Sequence, residues 1–430
     1  MTAAHRLESE LFDEIAGGGG GPTAIRALHA AQVSKHLLLI GQLLESWPGD
    51  PGERDAVMAA LERARDRAPE LCHEIVGAPL VGAWTAIANR AVRQDRAIRD
   101  DFLHLGALAV VACAAAGVDG SAEVPVHGGL VMLPGLGAAE VGAAATARAF
   151  AAGGRLAVHG IGAVAVPSDP ATEAPGWLPV RQLSARAGAQ QIRLGLDDLD
   201  PYRHGHHVPP APRLPADEVQ RWRELFDAAW RLLVERLPER AAELAAGLRT
   251  LVPLAQQARS ARSATIRHAF GVFGLTRPPS AADFAVTMVH EFQHSKLSAL
   301  LDLVVLTDPN DEGRYFAPWR ADPRPLAGLL QGVYAFAGVA DTWRGLRAVE
   351  GLAELAGARF AEARLQVDRG LSAIERSGAL TPSGEVFAAG LRRTTDDLLA
   401  EPVPPEVARA ADESLVRIRQ AWLERNRTAA

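Results

Sequence analysis

The sequence predicts an α+β fold that is predominantly helical. Over most of residues 1–120 and 201–430, apolar residues recur three or four positions apart, which is the spacing of one face of an α-helix. Residues 121–200 instead hold short runs rich in valine, leucine and isoleucine, separated by glycine and proline, as in small sheets. We therefore expect a helical N-terminal region, a small β-rich middle unit and a C-terminal region that begins at residue 201.

Composition narrows the class of protein. The chain has 430 residues, 48% of them hydrophobic, and a net charge of −6, which argues against general nucleic-acid binding. The N-terminal stretch has acidic residues and no apolar core typical of a signal peptide, and no apolar run is long enough to span a bilayer. We expect a cytoplasmic protein without a membrane partner. Cys72 and Cys113 lie in apolar surroundings and are expected to be buried free thiols.

The N-terminal region is expected to contain a series of amphipathic helices. A glycine run at Gly17–Gly21 predicts a flexible break after the first of them. The scattered histidines of this region are expected to be partnered core or surface residues. The expected helices are Leu7–Ile15, Thr23–Leu44, Asp55–Ala68 and two within Leu80–Gly117.

The middle unit is expected to be a small sheet with one helix, Ala138–Ala152. Neither a G-x-G-x-x-G nor a Walker pattern occurs, so nucleotide binding is not expected. A loop over 197–215 follows, and its cluster of His204, His206 and His207 is interpreted as part of a solvated, proline-rich linker, with a second metal site as the less favoured alternative. The expected strands are Val124–Val126, Gly129–Leu133, Arg155–Val166, Trp177–Leu183 and Gln190–Leu196.

The C-terminal region is expected to be mostly helical around one extended segment. Ser263–Thr276 is predicted to be a strand or hairpin, and an edge strand can bind an extended peptide through main-chain hydrogen bonds. His268 within it is a candidate substrate-binding residue, as are Trp319 and Tyr334 further along the chain. The expected helices are Ala216–Arg236, Glu239–Leu251, Ala281–Val305, Leu326–Glu354, Ala358–Ser377, Ser383–Leu399 and Pro405–Asn426.

The helix over Ala281–Val305 carries an H-E-x-x-H motif. Residues four apart share one face of a helix, so His290 and His294 can bind one metal ion, with Glu291 beside them as the candidate catalytic group. Ser280 is a suitable N-cap, and an apolar stripe without glycine or proline runs the length of the helix. The alternative is two polar histidines on a half-exposed helix. The motif makes 201–430 the expected metal-binding catalytic region, with a zincin-like helix packed by the preceding strand and the later helices.

A third protein ligand is expected, because two histidines alone do not hold a catalytic metal securely. No histidine follows His294, so the extended H-E-x-x-H-x-x-G-x-x-H motif is excluded and a carboxylate is expected instead. Asp341 is favoured because its apolar surroundings would make an unpaired charge costly, and Glu350 is the alternative. Two histidines with one carboxylate occur both in zinc peptidases and in non-haem iron oxygenases, so this ligand set does not separate hydrolysis from oxidation.

Several stretches together resemble one known family. They read LDDLDPYR, PPAPRL, HEFQHSKLSALLDL, RYFAPWRADPRP and LLQGVYAFAGVADTW, in this order, within residues 190–345. They are similar to the H-E-x-x-H peptide-modification family of biosynthetic clusters for ribosomally made, post-translationally modified peptides, whose members occur alone or fused to radical-SAM partners. The resemblance implies an enzyme that uses Fe(II) and 2-oxoglutarate to β-hydroxylate side chains of a precursor peptide.

The resemblance also implies roles for individual residues. His290 and His294 would bind Fe(II), and Glu291 would act beside the metal or as an acid/base rather than as a hydrolytic base. Relatives often carry a histidine where Phe336 stands, so this chain either uses Asp341 or has a weakened site. The distal carboxylate of 2-oxoglutarate needs a cation, for which Arg314 and Arg320 are candidates because a guanidinium pairs with a carboxylate through two hydrogen bonds.

Three hypotheses follow for the function. The favoured one is the iron- and 2-oxoglutarate-dependent peptide hydroxylase. The second is a cytoplasmic zinc metallopeptidase in which Glu291 is the general base. The third is a non-catalytic peptide-binding scaffold with a structural or vestigial metal. This hypothesis remains because the sequence does not identify the third metal ligand.

Overall fold

The computed structural model describes residues 5–204, 208–256 and 261–426. His206 and His207 of the expected linker cluster lie outside these described residues. The helices are Ser9–Ala16 (α1), Gly21–Glu45 (α2), Pro51–Arg67 (α3), Pro69–Val76 (α4), Pro79–Arg93 (α5), Arg99–Ala116 (α6), Ala216–Arg236 (α7), Pro238–Gly247 (α8), Ala281–Leu300 (α9), Leu326–Leu346 (α10), Ala353–Glu375 (α11), Pro382–Ala400 (α12) and Pro405–Asn426 (α13).

The strands form three small sheets, with orders β1-β4-β5-β6, β2-β3-β7 and β11-β12-β10-β9-β8. The fold is therefore α+β and mostly helical, as the sequence predicts. The strands are Gly120–Pro125 (β1), Leu130–Leu133 (β2), Gly137–Glu140 (β3), Thr146–Ala152 (β4), Arg155–His159 (β5), Ala163–Ala165 (β6), Trp177–Pro179 (β7), Arg181–Ala187 (β8), Gln190–Leu196 (β9), Thr250–Pro253 (β10), Ser263–Thr265 (β11) and Val272–Leu275 (β12).

The predicted helix over Ala138–Ala152 is wrong, because this stretch forms β3 and β4. Its alanines favour a helix locally. However, Gly142 has a φ of +85°, in the left-handed region, and separates two extended segments. The buried alanines of β4 alternate along the strand, which pairs antiparallel with both β1 and β5 beneath α6. Packing in a sheet thus overrides the helical preference of alanine.

Two large hydrophobic cores organise the chain. The first joins the later part of α2 and helices α3 to α6 to strands β1 to β7, and it contains both cysteines as buried free thiols, as predicted. The second joins α1 and the start of α2 to strands β8, β9, β10 and β12 and to helices α7 to α12. The five-stranded sheet therefore takes strands from both sides of the boundary expected at residue 200.

The five-stranded sheet brings the extended segment over 263–276 against α9. This segment is a hairpin, as one of the two sequence-based alternatives proposed: β11 pairs antiparallel with β12, which runs parallel to β10. Among the described residues, β11 is the edge of the sheet and has a neighbour on one side only. Helix α9 packs against both β11 and β12.

Helix α9 begins where the sequence predicts. The Ser280 hydroxyl accepts a hydrogen bond from the Asp283 amide at 3.1 Å and so caps one of the free N–H groups of the first turn. The helix is buried along most of its length, between α2, α7, α8, α10 and the hairpin. In the described part of the chain no single helix is long and apolar enough to cross a membrane; α4 and α5 reach that length only as a pair bent by 59°.

Two deeply buried histidines make the stability of the fold depend on pH. His36 is 1% exposed and bonds through Nδ1 to the Val76 carbonyl, and His104 is 2% exposed between the rings of Trp84 and Tyr202. Burial lowers the pKa of His36 to about 4 and that of His104 to about 3. Both side chains are therefore neutral in the folded protein over the pH range in which unfolded histidine titrates.

We expect the free energy of unfolding to fall as the pH is lowered from 6.5 towards 4. In this range the unfolded chain binds protons that the folded chain does not, at a cost of up to about 2 kcal/mol per histidine at pH 5. Urea unfolding at pH 7 and pH 5 measures the loss, and His104→Phe removes one titrating group. Identical pH dependence in the wild type and in His104→Phe would exclude His104 as a source.

Candidate metal and peptide site

His290 and His294 face each other on one side of α9. Their ring centres are 4.8 Å apart and the ring planes are nearly perpendicular, at 86°. Two imidazoles that bind one metal ion through bonds of ~2 Å at tetrahedral angles have ring centres about 5 Å apart. The spacing of this pair therefore fits two ligands of a single ion, as the H-E-x-x-H motif predicts.

Gln331 of α10 fixes the orientation of His294. The carboxamide nitrogen of Gln331 donates to the Ser298 hydroxyl at 3.2 Å, which leaves its oxygen for Nδ1 of His294 at 3.0 Å. Nδ1 of His294 therefore carries the proton and Nε2 has the free lone pair that a metal needs. Gln331 is a residue of the candidate site that sequence reasoning missed, because nothing in the motif indicates a partner 37 residues away.

Glu291 connects the histidine pair to the edge strand. The side chain is buried, and its two carboxylate oxygens accept hydrogen bonds from the hydroxyls of Ser263, at 2.7 Å, and Thr265, at 2.5 Å. The oxygen bonded to Ser263 lies 3.8 Å from Nε2 of His290. Glu291 is thus held in one position between β11 and the histidines.

The electrostatic environment keeps His290 neutral. Burial, together with the adjacent His294, lowers its pKa to about 4, and the Glu291 carboxylate acts in the opposite direction. A neutral imidazole is the form that binds a metal. His290 therefore does not need to lose a proton at neutral pH before it binds an ion.

Two stacked aromatic rings close one side of the pair. Phe336 makes an edge-to-face contact with His290, with the ring centres 5.5 Å apart. The indole ring of Trp319 stacks on the Phe336 ring, with the ring centres 4.6 Å apart. Gly332 leaves the space for this stack, because a Cβ there would lie 2.1 Å from the Trp319 ring. Phe336 therefore stands on α10 at about the distance from His290 that a third imidazole would need.

The carboxylates expected as third ligands lie elsewhere. Both oxygens of Asp341 are paired with arginines, with Arg240 at 2.9 Å and Arg344 at 2.6 Å, and Glu350 is exposed in the turn after α10. Within residues 5–204, 208–256 and 261–426, no three histidine, cysteine, aspartate or glutamate side chains form a metal-binding group. The structure thus brings together His290, His294 and Glu291, and does not bring Asp341 or Glu350 to them.

The other candidate residues divide into two groups. Trp319 stacks on Phe336, which contacts His290, whereas Arg320 is exposed and pairs with Asp322 at 2.8 Å. Arg314 is exposed and donates to the backbone carbonyls of its own loop.

Tyr334 and His268 do not reach the pair. Tyr334 is fully buried and donates to the Ile15 carbonyl at 2.8 Å. His268 lies near Lys35, whose ammonium group binds Asp302. Tyr334 is therefore closed to a substrate, whereas His268 is only partly buried and its role in substrate binding stays a prediction.

A buried group of charges supports α9 on the side away from the histidines. Lys296 is 0% exposed and donates to Glu243 at 2.8 Å and to the carbonyls of Gly18 and Gly19 at 3.0 and 2.6 Å. Arg240 bonds to the Gly18 carbonyl and pairs with Asp341. The glycine run expected to be a flexible break is therefore bound to the metal-site helix by charged side chains.

The site combines a pair of imidazoles suited to a metal, a fixed carboxylate and an open strand edge. Such a set can hold a divalent ion next to an extended peptide chain. Comparison of the chain with family models and with curated proteins gave no match.

Proposed function

We propose that this protein hydroxylates the β-carbon of a side chain in a ribosomally made precursor peptide, using Fe(II), 2-oxoglutarate and O₂. The family-like stretches of residues 190–345 support the reaction type, and the H-E-x-x-H helix supports the metal. In this proposal α9, the β11–β12 hairpin and α10 form a zincin-like arrangement that is used for oxidation.

One observation carries the proposal of a peptide substrate: Glu291 joins the histidine pair to an edge strand. Ser263 and Thr265 hold its carboxylate from β11, and β11 has no second neighbouring strand among the described residues. An edge strand can bind any extended peptide through main-chain hydrogen bonds, whatever its sequence. A peptide bound there would run next to His290 and His294.

His290 and His294 would hold the iron. The ring spacing of 4.8 Å and the tautomer of His294 set by Gln331 fit this role. When bound, Fe(II) with 2-oxoglutarate would supply the oxidising chemistry, in which one atom of O₂ enters the peptide, the other enters succinate, and the keto-acid loses CO₂. Arg320, beside Trp319, is the proposed cation for the distal carboxylate of 2-oxoglutarate.

Glu291 is proposed to position the substrate-binding strand and His290, since both of its oxygens are already bonded to hydroxyls. A zinc peptidase is the second candidate function. It is favoured by the 3.8 Å separation of Glu291 from His290, because a carboxylate at this place can act as general base on a water molecule.

The experiment that tests the proposal is intact mass spectrometry of the precursor peptide encoded beside this gene. The peptide is incubated with the protein, Fe(II), ascorbate and 2-oxoglutarate in air, with His290→Ala as the control. We expect a gain of one oxygen atom and an equal amount of succinate, both lost in His290→Ala. Peptide fragments formed with zinc and without 2-oxoglutarate would show a peptidase, and an unchanged peptide would favour the non-catalytic scaffold.

A further inference from the structure

A cleft of about 630 Å³ opens beside Phe336, between helices α10, α11 and α13 and the loop over 318–321. It shares Phe336 and Trp319 with the site, and Trp422 of α13 forms part of the facing wall. Its volume is within the range of ligand-binding pockets. A ligand in this cleft would contact Phe336, whose ring also contacts His290, and so would lie close to the proposed reaction centre.

Basic side chains exceed acidic ones in this cleft. Arg359 of α11 and Arg425 of α13 are exposed and have no ion-pair or hydrogen-bond partner among the described residues. Of the acidic side chains, Asp283 is bonded to the Ser280 hydroxyl at the start of α9, whereas Glu362 has no partner in the described part of the chain. Two guanidinium groups from different helices are thus available to a carboxylate, in a protein whose net charge is −6.

A buried amide group also lines this cleft. Gln366 of α11 is only 8% exposed, and its carboxamide makes no hydrogen bond to any described residue. Its amide atoms are not among the fully buried polar atoms without a partner, so they stay open to the cleft. A carboxamide both donates and accepts, which matches the main chain of a peptide.

We propose that this cleft binds a segment of the peptide substrate that carries an acidic side chain next to an apolar one. The carboxylate would pair with Arg359 and Arg425, the apolar group would pack on Trp422 and Trp319, and Gln366 would bond to the main chain of the segment. This inference rests on the proposed function for the peptide nature of the ligand. The cleft would select the peptide, while β11 would align the part that reacts.

Binding measured without iron or 2-oxoglutarate tests the inference separately from catalysis. The probes are two fluorescein-labelled pools of nonapeptides of random sequence, whose central residue is fixed as Glu in one pool and Gln in the other. We expect the Glu pool to bind about fivefold more tightly by fluorescence anisotropy. The double variant Arg359→Gln/Arg425→Gln should lose this preference, and His290→Ala should keep it.

The matched control is Arg393→Gln/Arg409→Gln, which removes two exposed arginines that do not line the cleft and should leave the preference unchanged. Equal binding of both pools to the wild-type protein would overturn the inference, as would a preference that survives loss of Arg359 and Arg425. Displacement of the Glu pool by millimolar glutarate that persists in Arg320→Gln, which removes the cation proposed for 2-oxoglutarate in the same cleft, would also overturn it, since Arg359 and Arg425 would then bind a small dicarboxylate. If binding behaves as expected but no peptide is ever oxidised, the proposed reaction fails and the binding site stands.

Discussion

Replacing Lys296 by methionine is expected to lower the free energy of unfolding by about 3 to 5 kcal/mol. The Lys296 ammonium group is 0% exposed and binds Glu243 and two backbone carbonyls of the glycine loop. Burial lowers its pKa to about 8, and Glu243 opposes that effect, so the side chain is mostly charged at pH 7. Its removal leaves the Glu243 carboxylate with the more distant Arg240, at 3.5 Å, and leaves the Gly19 carbonyl without its donor.

Urea unfolding at pH 7 measures the effect of this substitution. Lys35→Met is a closely matched control, because Lys35 is the only other lysine of the chain and its ion pair with Asp302 is partly exposed, at 22% for each side chain. We expect that control to lose about 1 kcal/mol or less. The double variant Lys296→Met/Glu243→Gln should lose less than the sum of the two single variants, since neither charge is then left unpaired. Equal losses for Lys296→Met and Lys35→Met would contradict the role assigned to the buried network.

Helix α9 and its pair of histidines could be predicted because their signals are local. Ser280 as N-cap, the apolar stripe and the four-residue spacing of His290 and His294 all lie within one helix, and the structure agrees with each of them. The hairpin over 263–276 was also recognisable, as a run of alternating and β-branched residues before that helix. Such features depend on neighbours a few positions apart, which a single sequence contains.

The pairing of Asp341 could not be predicted because its evidence is non-local. The apolar context of Asp341 correctly indicated a charge in need of a partner, but the partner is Arg240, 101 residues earlier in the chain. The same limit applies to the glycine run over 17–21. The carbonyl of Gly18 accepts a hydrogen bond from Lys296, which lies 278 residues later in the chain. Spacing along a sequence carries no information about such pairs, which the packing of α1, α8, α9 and α10 determines.

Phe336→His is expected to raise the affinity of the protein for Zn(II) by at least about tenfold. In the wild type, His290 and His294 are the two described imidazoles with suitable spacing, and Phe336 faces His290 with ring centres 5.5 Å apart. A histidine ring in that position would be about as far from His290 as two imidazoles on one ion are from each other. The measurement is isothermal titration calorimetry on protein stripped with a chelator, followed by a check of one bound ion per chain.

Three controls separate a new ligand from a looser pocket. Phe336→Leu removes the ring without adding a ligand and should not raise affinity. Gln331→Leu removes the bond that holds the His294 tautomer and should weaken binding about 10- to 100-fold in both the wild type and Phe336→His. His294→Ala should reduce both to background. An unchanged affinity in Phe336→His would mean that a side chain at position 336 cannot reach the ion. A third ligand would then have to come from elsewhere, and Glu291 is the carboxylate to test, because its oxygen lies 3.8 Å from Nε2 of His290.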